Sequence, residues 1–123
     1  MDAALKERAA GVRMLILDVD GVLTDGKLYF DHAGNEMKAF NTRDGMGIKA
    51  LQKVGIEIAV ITGRKSEAVT KRMEQLGVKH VYQGREDKLD AFLDLLDKTG
   101  LDAHETCFAG DDWIDLPVLI RVG

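Results

Sequence analysis

Residues 14–24 have the sequence MLILDVDGVLT, a short apolar run that stops at the first of two aspartates. Four consecutive apolar residues, Met14–Leu17, predict a strand that is buried on both faces, as in a parallel sheet. Asp18 and Asp20 follow directly, so we expect them at the carboxyl end of that strand. Ligands bind at this edge of open parallel sheets. The segment therefore predicts both a type of fold and the position of a site.

Strand and helix patterns alternate along the rest of the chain. The predicted strands lie at residues 57–61, 80–82 and 105–109, and the predicted helices at 1–13, 44–54, 66–76 and 87–98, with Pro117 in the first turns of a last one. Residues 28–41 predict two short strands around a turn at 31–35. This alternation is typical of βαβ units. The predicted fold is α/β, a three-layer Rossmann-like parallel sheet with a short β-hairpin insertion after its first strand.

Length, composition and charge restrict the class of protein. A chain of 123 residues is long enough for one domain and too short for two ordinary ones. The net charge of −4 argues against a nucleic-acid partner. The single cysteine, Cys107, predicts a protein of the reducing cytoplasm without disulfides, and the lack of an apolar run of 18 residues predicts no membrane span.

Chemically useful side chains follow the other predicted strands as well. Thr62 comes after the second strand, Lys88 opens the helix after the third, and Asp111 comes after the fourth. Because the carboxyl ends of parallel strands meet at one edge, we expect these residues to lie beside Asp18. Carboxylates, a hydroxyl and an amine would thus converge from four distant segments.

Phosphoryl transfer is the chemistry that needs such a set. A carboxylate such as that of Asp18 can attack phosphorus and form an acyl phosphate, but a phosphate monoester repels it, so a divalent cation is needed between them. Asp18, Asp111 and the backbone carbonyl of Asp20 are the predicted Mg²⁺ ligands. The Asp20 carboxyl is the predicted acid and base, and Thr62 and Lys88 are predicted to hold the phosphoryl oxygens.

Each of these residues also has a purely structural interpretation. The Asp-x-Asp-Gly segment at 18–21 is often only a turn, Lys88 alone is a solvated lysine, and Asp112 can cap a helix. An EF-hand loop is excluded, because Val22 and Leu23 occupy its fifth and sixth positions. Cys107, within an apolar strand, is predicted to lie in the core, and Trp113 is predicted to be a packing residue.

Two non-catalytic interpretations also stay open. A receiver-like signalling domain uses Asp, Thr, Lys and Mg²⁺ on a parallel sheet, but it needs its phosphoacceptor Asp after the third strand. Here Tyr-Gln-Gly occupies residues 82–84 at that point, and the Lys precedes the final Asp. The other interpretation is an inactive fragment that only assembles.

The motifs at the strand ends resemble those of the haloacid dehalogenase (HAD) superfamily of phosphatases. They are, in order, DVDGVLT at 18–24, VITGR at 60–64, Lys88 and GDDWID at 110–115. This resemblance implies that Asp18 is the nucleophile, that Asp20 is the acid and base, and that Mg²⁺ is held by Asp18, Asp111 and the Asp20 carbonyl. It also implies that Asp115 supports the metal site without binding the metal directly. An aspartate at position 20 fits a phosphatase better than a dehalogenase.

A closer similarity is to the family of 3-deoxy-D-manno-octulosonate 8-phosphate (Kdo 8-phosphate) phosphatases. It is carried by DG at 25–26, FNTRDGMGI at 40–48, ITGR at 61–64 and YQG at 82–84. It implies a domain without a large cap, a hairpin that helps to form a homotetramer, and a role in lipopolysaccharide biosynthesis. The implied substrate-binding residues are Asp20, Asn41, Thr42, Arg43, Asp44, Gly45, Lys49, Arg64, Arg72 and Lys88.

The similarity implies a phosphorylated sugar-acid substrate, Kdo 8-phosphate, whose carboxylate suits bidentate binding by arginine. A nine-carbon keto sugar acid 9-phosphate, of sialic acid or its deaminated analogue, is the alternative. Arg72 lies opposite Val69 and Met73 on its predicted helix, so solvent exposure is its other interpretation. The family continues past Gly123 with a strand and a Gly-rich tail. We therefore predict that residues 1–123 form one phosphatase domain lacking that last part.

Overall fold

A four-stranded parallel sheet forms the centre of the computed structural model, which describes residues 2–123. In chain order, the elements are α1 (Ala3–Ala10), β1 (Met14–Leu17), β2 (Tyr29–Phe30), β3 (Glu36–Met37), α2 (Thr42–Lys53), β4 (Glu57–Ile61), α3 (Glu67–Leu76), β5 (His80–Tyr82), α4 (Lys88–Thr99), β6 (Thr106–Ala109) and α5 (Leu116–Leu119). The sheet has the order β5-β4-β1-β6, and β2 pairs with β3 as an antiparallel hairpin. The predicted α/β fold with its hairpin insertion is confirmed.

The position of β1 within the sheet determines where the site lies. From β1 the chain moves to β4 and β5 on one side and then returns to place β6 on the other side. Leu17, the last residue of β1, is level with Val60 in β4 and with Ala109 in β6. The residues that follow these three strands therefore meet at one edge, at the switch point where open parallel sheets bind ligands.

Two apolar clusters hold helices on both faces of the sheet and give the three predicted layers. Ile16 and Phe92 belong to the cluster on the side of α4 and α5, whereas Leu17 and Met73 belong to the cluster on the side of α2 and α3. Successive strand residues point to opposite faces, so β1 contributes to both clusters and has no polar position. Full burial of each such side chain contributes roughly 1.5–3 kcal/mol.

Helix ends differ little from those that the sequence predicts. Gly77 and Gly100 end α3 and α4 with φ of +69° and +72°, the left-handed conformation that favours glycine. The predicted stop at Gly77 is thus confirmed. The Asn41 side chain accepts a hydrogen bond from Arg43 N–H, and this cap starts α2 at Thr42, two residues earlier than predicted.

The predictions that Cys107 lies in the core and that Trp113 is packed were wrong. Cys107 is exposed, because β6 is an edge strand and the residue lines an apolar groove with Leu5 and Leu51 instead of lying beneath a helix. Trp113 is 78% exposed, since it lies in a single 3₁₀ turn between β6 and α5 rather than on a packed helix face.

The predicted N-terminal helix is present as α1, but it contains no buried residue; the start of the prediction, Met1, lies outside the described residues. Within residues 2–123, no helix has the length and apolarity needed to cross a membrane.

Candidate active site

Asp18 lies directly after β1, at the switch point of the sheet. Its backbone N–H donates to the carbonyl of Ala109 at 3.0 Å, which extends the pairing of β1 with β6 by one residue. The side chain is 8% exposed. Its Oδ1 accepts a hydrogen bond from Val19 N–H at 2.8 Å and lies 3.2 Å from Lys88 Nζ. Both contacts are made by Oδ1, so Oδ2 carries neither of them.

Lys88 is the counter-charge of this buried carboxylate. It is the first residue of α4, and its ammonium lies 2.5 Å from Asp115 Oδ1 as well as 3.2 Å from Asp18 Oδ1. The side chains of Lys88 and Asp115 are 1% and 0% exposed. Lys88 is therefore not the solvated lysine of the structural interpretation. A buried cation between two carboxylates also explains why a helix begins with a lysine, a position where the helix dipole disfavours positive charge.

Burial raises the pKa of Asp18 above its usual range. The hydrogen bond from Val19 N–H and the charge of Lys88 act in the opposite direction, but they do not outweigh the loss of solvation. The ionised form of Asp18 is therefore destabilised in the folded protein. Such a carboxylate gains from a divalent cation, which would compensate for the solvation that it lacks.

Three carboxylates at this edge form a set of oxygen donors that suits a metal ion. One oxygen from each of Asp18, Asp111 and Asp115 lies within 4.8 Å of the others. Asp115 is bound on both oxygens, by Lys88 Nζ and by Asp112 N–H at 3.1 Å. Asp18 and Asp111 are therefore the freer donors, and an all-oxygen set is what Mg²⁺ prefers. The residues present fit that metal.

Gly21 makes room for Asp111 within this set. A Cβ built at Gly21 would overlap Asp111 Oδ2, and the glycine has φ of +83°. The backbone after Asp20 can therefore approach the Asp111 carboxylate only because position 21 has no side chain. This close approach brings the segments after β1 and β6 together around the donor set.

We expect Gly21→Ala to weaken Mg²⁺ binding by about 10-fold or more, because the added methyl group must displace Asp111. Backbone strain should also lower the free energy of unfolding by about 1–3 kcal/mol. Titration calorimetry with Mg²⁺ measures the affinity. Gly34→Ala is the matched control, since Gly34 has φ of +85° but no atom within 4 Å of an added Cβ. Equal Mg²⁺ affinity in the two variants would contradict this account of Gly21.

Thr62 is placed beside Asp18 by the neighbouring strand. It is 2% exposed and follows β4, and its N–H donates to the Tyr82 carbonyl at 2.9 Å. Its backbone carbonyl accepts from Arg85 N–H at 3.1 Å. The loop after β4 is thus held by β5, and the Thr62 hydroxyl is positioned by the sheet rather than by a flexible loop.

Asp20 is bound by a residue of the hairpin. Lys38 Nζ lies 2.6 Å from Asp20 Oδ1 and 3.0 Å from Glu36 Oε1, and Glu36 Oε2 lies 2.9 Å from Arg64 Nη2. Burial alone would lower the pKa of Lys38, but the facing carboxylates of Asp20 and Glu36 raise the pKa overall. Lys38 in turn lowers the pKa of Glu36. The four residues therefore form one network of charges across the site.

Reasoning from the sequence missed Lys38 and Glu36, which it treated only as part of an assembly hairpin. A signal for them exists: residues two apart in an extended segment point to the same side, so Glu36 and Lys38 present opposite charges together. Which residues they meet depends on how the hairpin folds back towards the sheet, and no local pattern contains that information.

The segment Asn41 to Gly45 forms the start of α2 and meets Arg72 of α3. Gly45 is buried, and a Cβ there would overlap the Arg72 guanidinium. Arg72 is half-buried against this segment, so its other interpretation, solvent exposure, is wrong. The structure thus brings Arg72 beside Asn41 and Asp44, and the substrate role of these residues stays a prediction.

Three other predicted substrate residues lie at the surface. Thr42 and Arg43 are exposed in the first turn of α2. Lys49 is also exposed, and its Nζ would lie 3.3 Å from a Cβ at Gly77, where α3 ends. Because α3 starts at the edge that carries Asp18 and ends at the opposite edge, Lys49 points away from Asp18. Its substrate role stays a prediction.

Comparison with known proteins agrees with this arrangement. Residues 42–123 match the haloacid dehalogenase-like hydrolase family. The whole chain is 48% identical to a 3-deoxy-D-manno-octulosonate 8-phosphate phosphatase, KdsC, of Escherichia coli (strain B / BL21-DE3), and it spans 65% of that relative's length.

Solved structures are similar in fold as well as in sequence. A putative 3-deoxy-D-manno-octulosonate 8-phosphate phosphatase from Vibrio cholerae has a TM-score of 0.97 and 46% identity, covering 100% of this chain and 69% of that one. The phosphatase from Moraxella catarrhalis, in complex with magnesium, phosphate and KDO, has a TM-score of 0.96 and 37% identity, covering 100% and 71%.

Proposed function

The chain belongs to the haloacid dehalogenase-like hydrolases, and we propose that it takes part in the Mg²⁺-dependent hydrolysis of a sugar-acid phosphate, Kdo 8-phosphate, to Kdo and phosphate. The observation that carries this proposal is the buried Asp18 carboxylate, held by Lys88 beside the oxygen donors of Asp111. The names of the relatives support the choice of substrate.

The donor set supports magnesium as the cofactor. In this proposal, Asp18, Asp111 and the backbone carbonyl of Asp20 hold the ion, and Asp115 supports the set through Lys88 and Asp112 N–H. When bound, Mg²⁺ supplies positive charge that lets an anionic carboxylate approach an anionic phosphate.

Asp18 and Asp20 divide the proposed chemistry between them. An oxygen of Asp18 attacks phosphorus, the bond from phosphorus to the sugar oxygen breaks, and Asp20 gives its proton to that leaving oxygen. Asp20 then takes a proton from water as the water oxygen attacks phosphorus. The bond from phosphorus to Asp18 breaks, which releases inorganic phosphate and restores both carboxyl groups.

Charge and hydrogen bonding hold the substrate in this scheme. The Lys88 ammonium and the Thr62 hydroxyl bind oxygens of the transferring phosphoryl group; Lys88 is positioned by its ion pairs with Asp18 and Asp115, and Thr62 by the sheet. Arg64 and Arg72 provide guanidinium groups for the sugar-acid carboxylate. The other proposed contacts to the sugar acid are Asn41, Thr42, Arg43, Asp44, Gly45 and Lys49.

The hairpin supports the proposal of a homotetramer. Leu28, just before β2, is 50% exposed, and Phe30 and Met37 on the two short strands are 58% and 49% exposed, an unusual concentration of exposed apolar side chains. In the proposed assembly these residues are covered by neighbouring subunits. A cytoplasmic location stays a prediction from the single cysteine.

A panel of phosphate esters tests the proposed function. We expect Mg²⁺-dependent phosphate release from Kdo 8-phosphate, with kcat/KM at least about 10-fold above that for nine-carbon keto acid 9-phosphates, because one misplaced polar contact costs about 1–3 kcal/mol. EDTA should abolish the release. Preference for a 9-phosphate would change the proposed substrate but leave the proposed reaction unchanged. No release from any ester, together with a long-lived phosphoprotein, would instead favour a receiver-like domain.

A further inference from the structure

The hairpin carries a charged connection to both sides of the candidate site. Lys38 Nζ contacts Asp20 Oδ1 at 2.6 Å, and Glu36 contacts Lys38 at 3.0 Å and Arg64 at 2.9 Å. Asp20 belongs to the segment after β1, and Arg64 to the segment after β4. A single pair of hairpin residues therefore spans the edge of the sheet between the proposed acid and a proposed carboxylate-binding arginine.

Because Lys38 is buried, its ammonium depends on the carboxylates that it contacts. The Lys38 side chain is 2% exposed, whereas those of Asp20, Glu36 and Arg64 are 27%, 22% and 49% exposed. A lysine with its ammonium this far from solvent needs partners, and its two partners are carboxylates. Most surface lysines gain little from an ion pair, but this one has lost its solvation by burial, and it loses the compensating charge if either carboxylate moves. Lys38 thus restricts where Asp20 can be.

We propose that Lys38 is a positioning residue for Asp20: it binds Oδ1 of the acid and base and leaves Oδ2 to face the oxygen that receives or gives the proton. This inference rests on the proposed phosphatase function. One held oxygen allows Asp20 to present the other in a defined orientation, which proton transfer over hydrogen-bond distance requires. Through Glu36, the same network orients Arg64, so the hairpin arranges the proton donor and the carboxylate-binding group together.

The dependence on the leaving group separates a positioning role from a general structural one. A sugar alkoxide needs a proton as it leaves, whereas p-nitrophenolate is stable without one. We expect Lys38→Met to lower kcat/KM, which reports the steps up to departure of the leaving group, by about 10²-fold for the sugar-acid phosphate but by only about 2-fold for p-nitrophenyl phosphate, with Lys38→Arg recovering most of the loss. In an Asp20→Asn background, Lys38→Met should add little, because it acts through Asp20.

Lys27→Met is the matched control, since Lys27 is an exposed lysine just before the hairpin. Equal losses for both esters, or full additivity with Asp20→Asn, would overturn the positioning role. If the parent chain released no phosphate from any ester, the proposed function would fail separately. The unfolding midpoints of the Lys38 and Asp20 single and double variants would then test whether the two side chains interact. Additive shifts would overturn the contact, and non-additive shifts would support it.

Discussion

Asp18→Asn is expected to abolish phosphate release, lowering kcat by at least about 10⁴-fold. An amide of the same shape keeps the packing around β1, but it is a poor nucleophile and a weaker metal ligand. Single-turnover measurement of phosphate release with Mg²⁺ tests this. Asp97→Asn, at an exposed position of α4, is the control and should retain turnover. Undiminished turnover in Asp18→Asn would exclude Asp18 as the nucleophile.

The same variant is expected to be more stable than the parent chain when metal is absent. Burial raises the pKa of Asp18 in the folded protein above 3.8, so folding favours the protonated form. The resulting loss of stability begins as the pH rises through the unfolded pKa and is complete above the folded pKa. At pH 7 in EDTA, Asp18→Asn should therefore unfold at a higher temperature, and its advantage should shrink as the pH falls towards 3.8.

Magnesium should reverse this order. It binds the parent chain more tightly than the variant and stabilises whatever it binds. A lower unfolding temperature for Asp18→Asn in EDTA at pH 7 would show instead that pairing with Lys88 outweighs the burial of Asp18. Catalytic activity and stability would then both favour aspartate at position 18, contrary to the usual trade-off between activity and stability at functional sites.

Lys88→Met is expected to lower the free energy of unfolding by about 3–5 kcal/mol, because it leaves two buried carboxylates without their cation. The Lys88 side chain is 1% exposed, and those of Asp18 and Asp115 are 8% and 0% exposed, so water cannot replace the lost charge. Urea unfolding in EDTA measures the change. Turnover should fall as well, since the phosphoryl oxygens lose their proposed ligand.

A surface ion pair provides the control for this loss. Lys98 Nζ lies 3.0 Å from Asp94 on α4, but the Lys98 side chain is 61% exposed, so Lys98→Met should cost at most about 1 kcal/mol. The double variant Lys88→Met with Asp115→Asn should recover part of the lost stability, because it removes one of the unpaired charges. A similar small loss for both lysine variants would show that Lys88 is more accessible to solvent than the structure indicates.

Much of the fold could be predicted because its signals are local. A continuous apolar run identifies β1 as a buried parallel strand, and helical spacing of apolar residues identifies α3 and α4. Parallel topology then places the residue after each strand at the same edge, which is why Asp18, Thr62 and Asp111 could be assigned to one site before any distance was known. Glycine at position 77 marked the end of α3 for an equally local reason, its left-handed backbone.

Whether a residue at the edge of the fold is buried depends on which elements cover it. The spacing of apolar residues in the sequence does not contain this information. Cys107 has the pattern of a core residue, but it lies on an edge strand beside a groove. Trp113 has the size of a core residue, but it lies in a short turn at the surface.

The sequence by itself determined the α/β class, the strand ends and the residue types that converge there, since each follows from short-range periodicity and the direction of the strands. Only the tertiary structure decided that Lys88 is shared between Asp18 and Asp115, and that Lys38 reaches Asp20 from a separate hairpin. The physical reason is that an ion pair forms where the folded chain removes two charges from water at the same place. Residues 20 and 38, or 88 and 115, meet only through the packing of the elements that carry them.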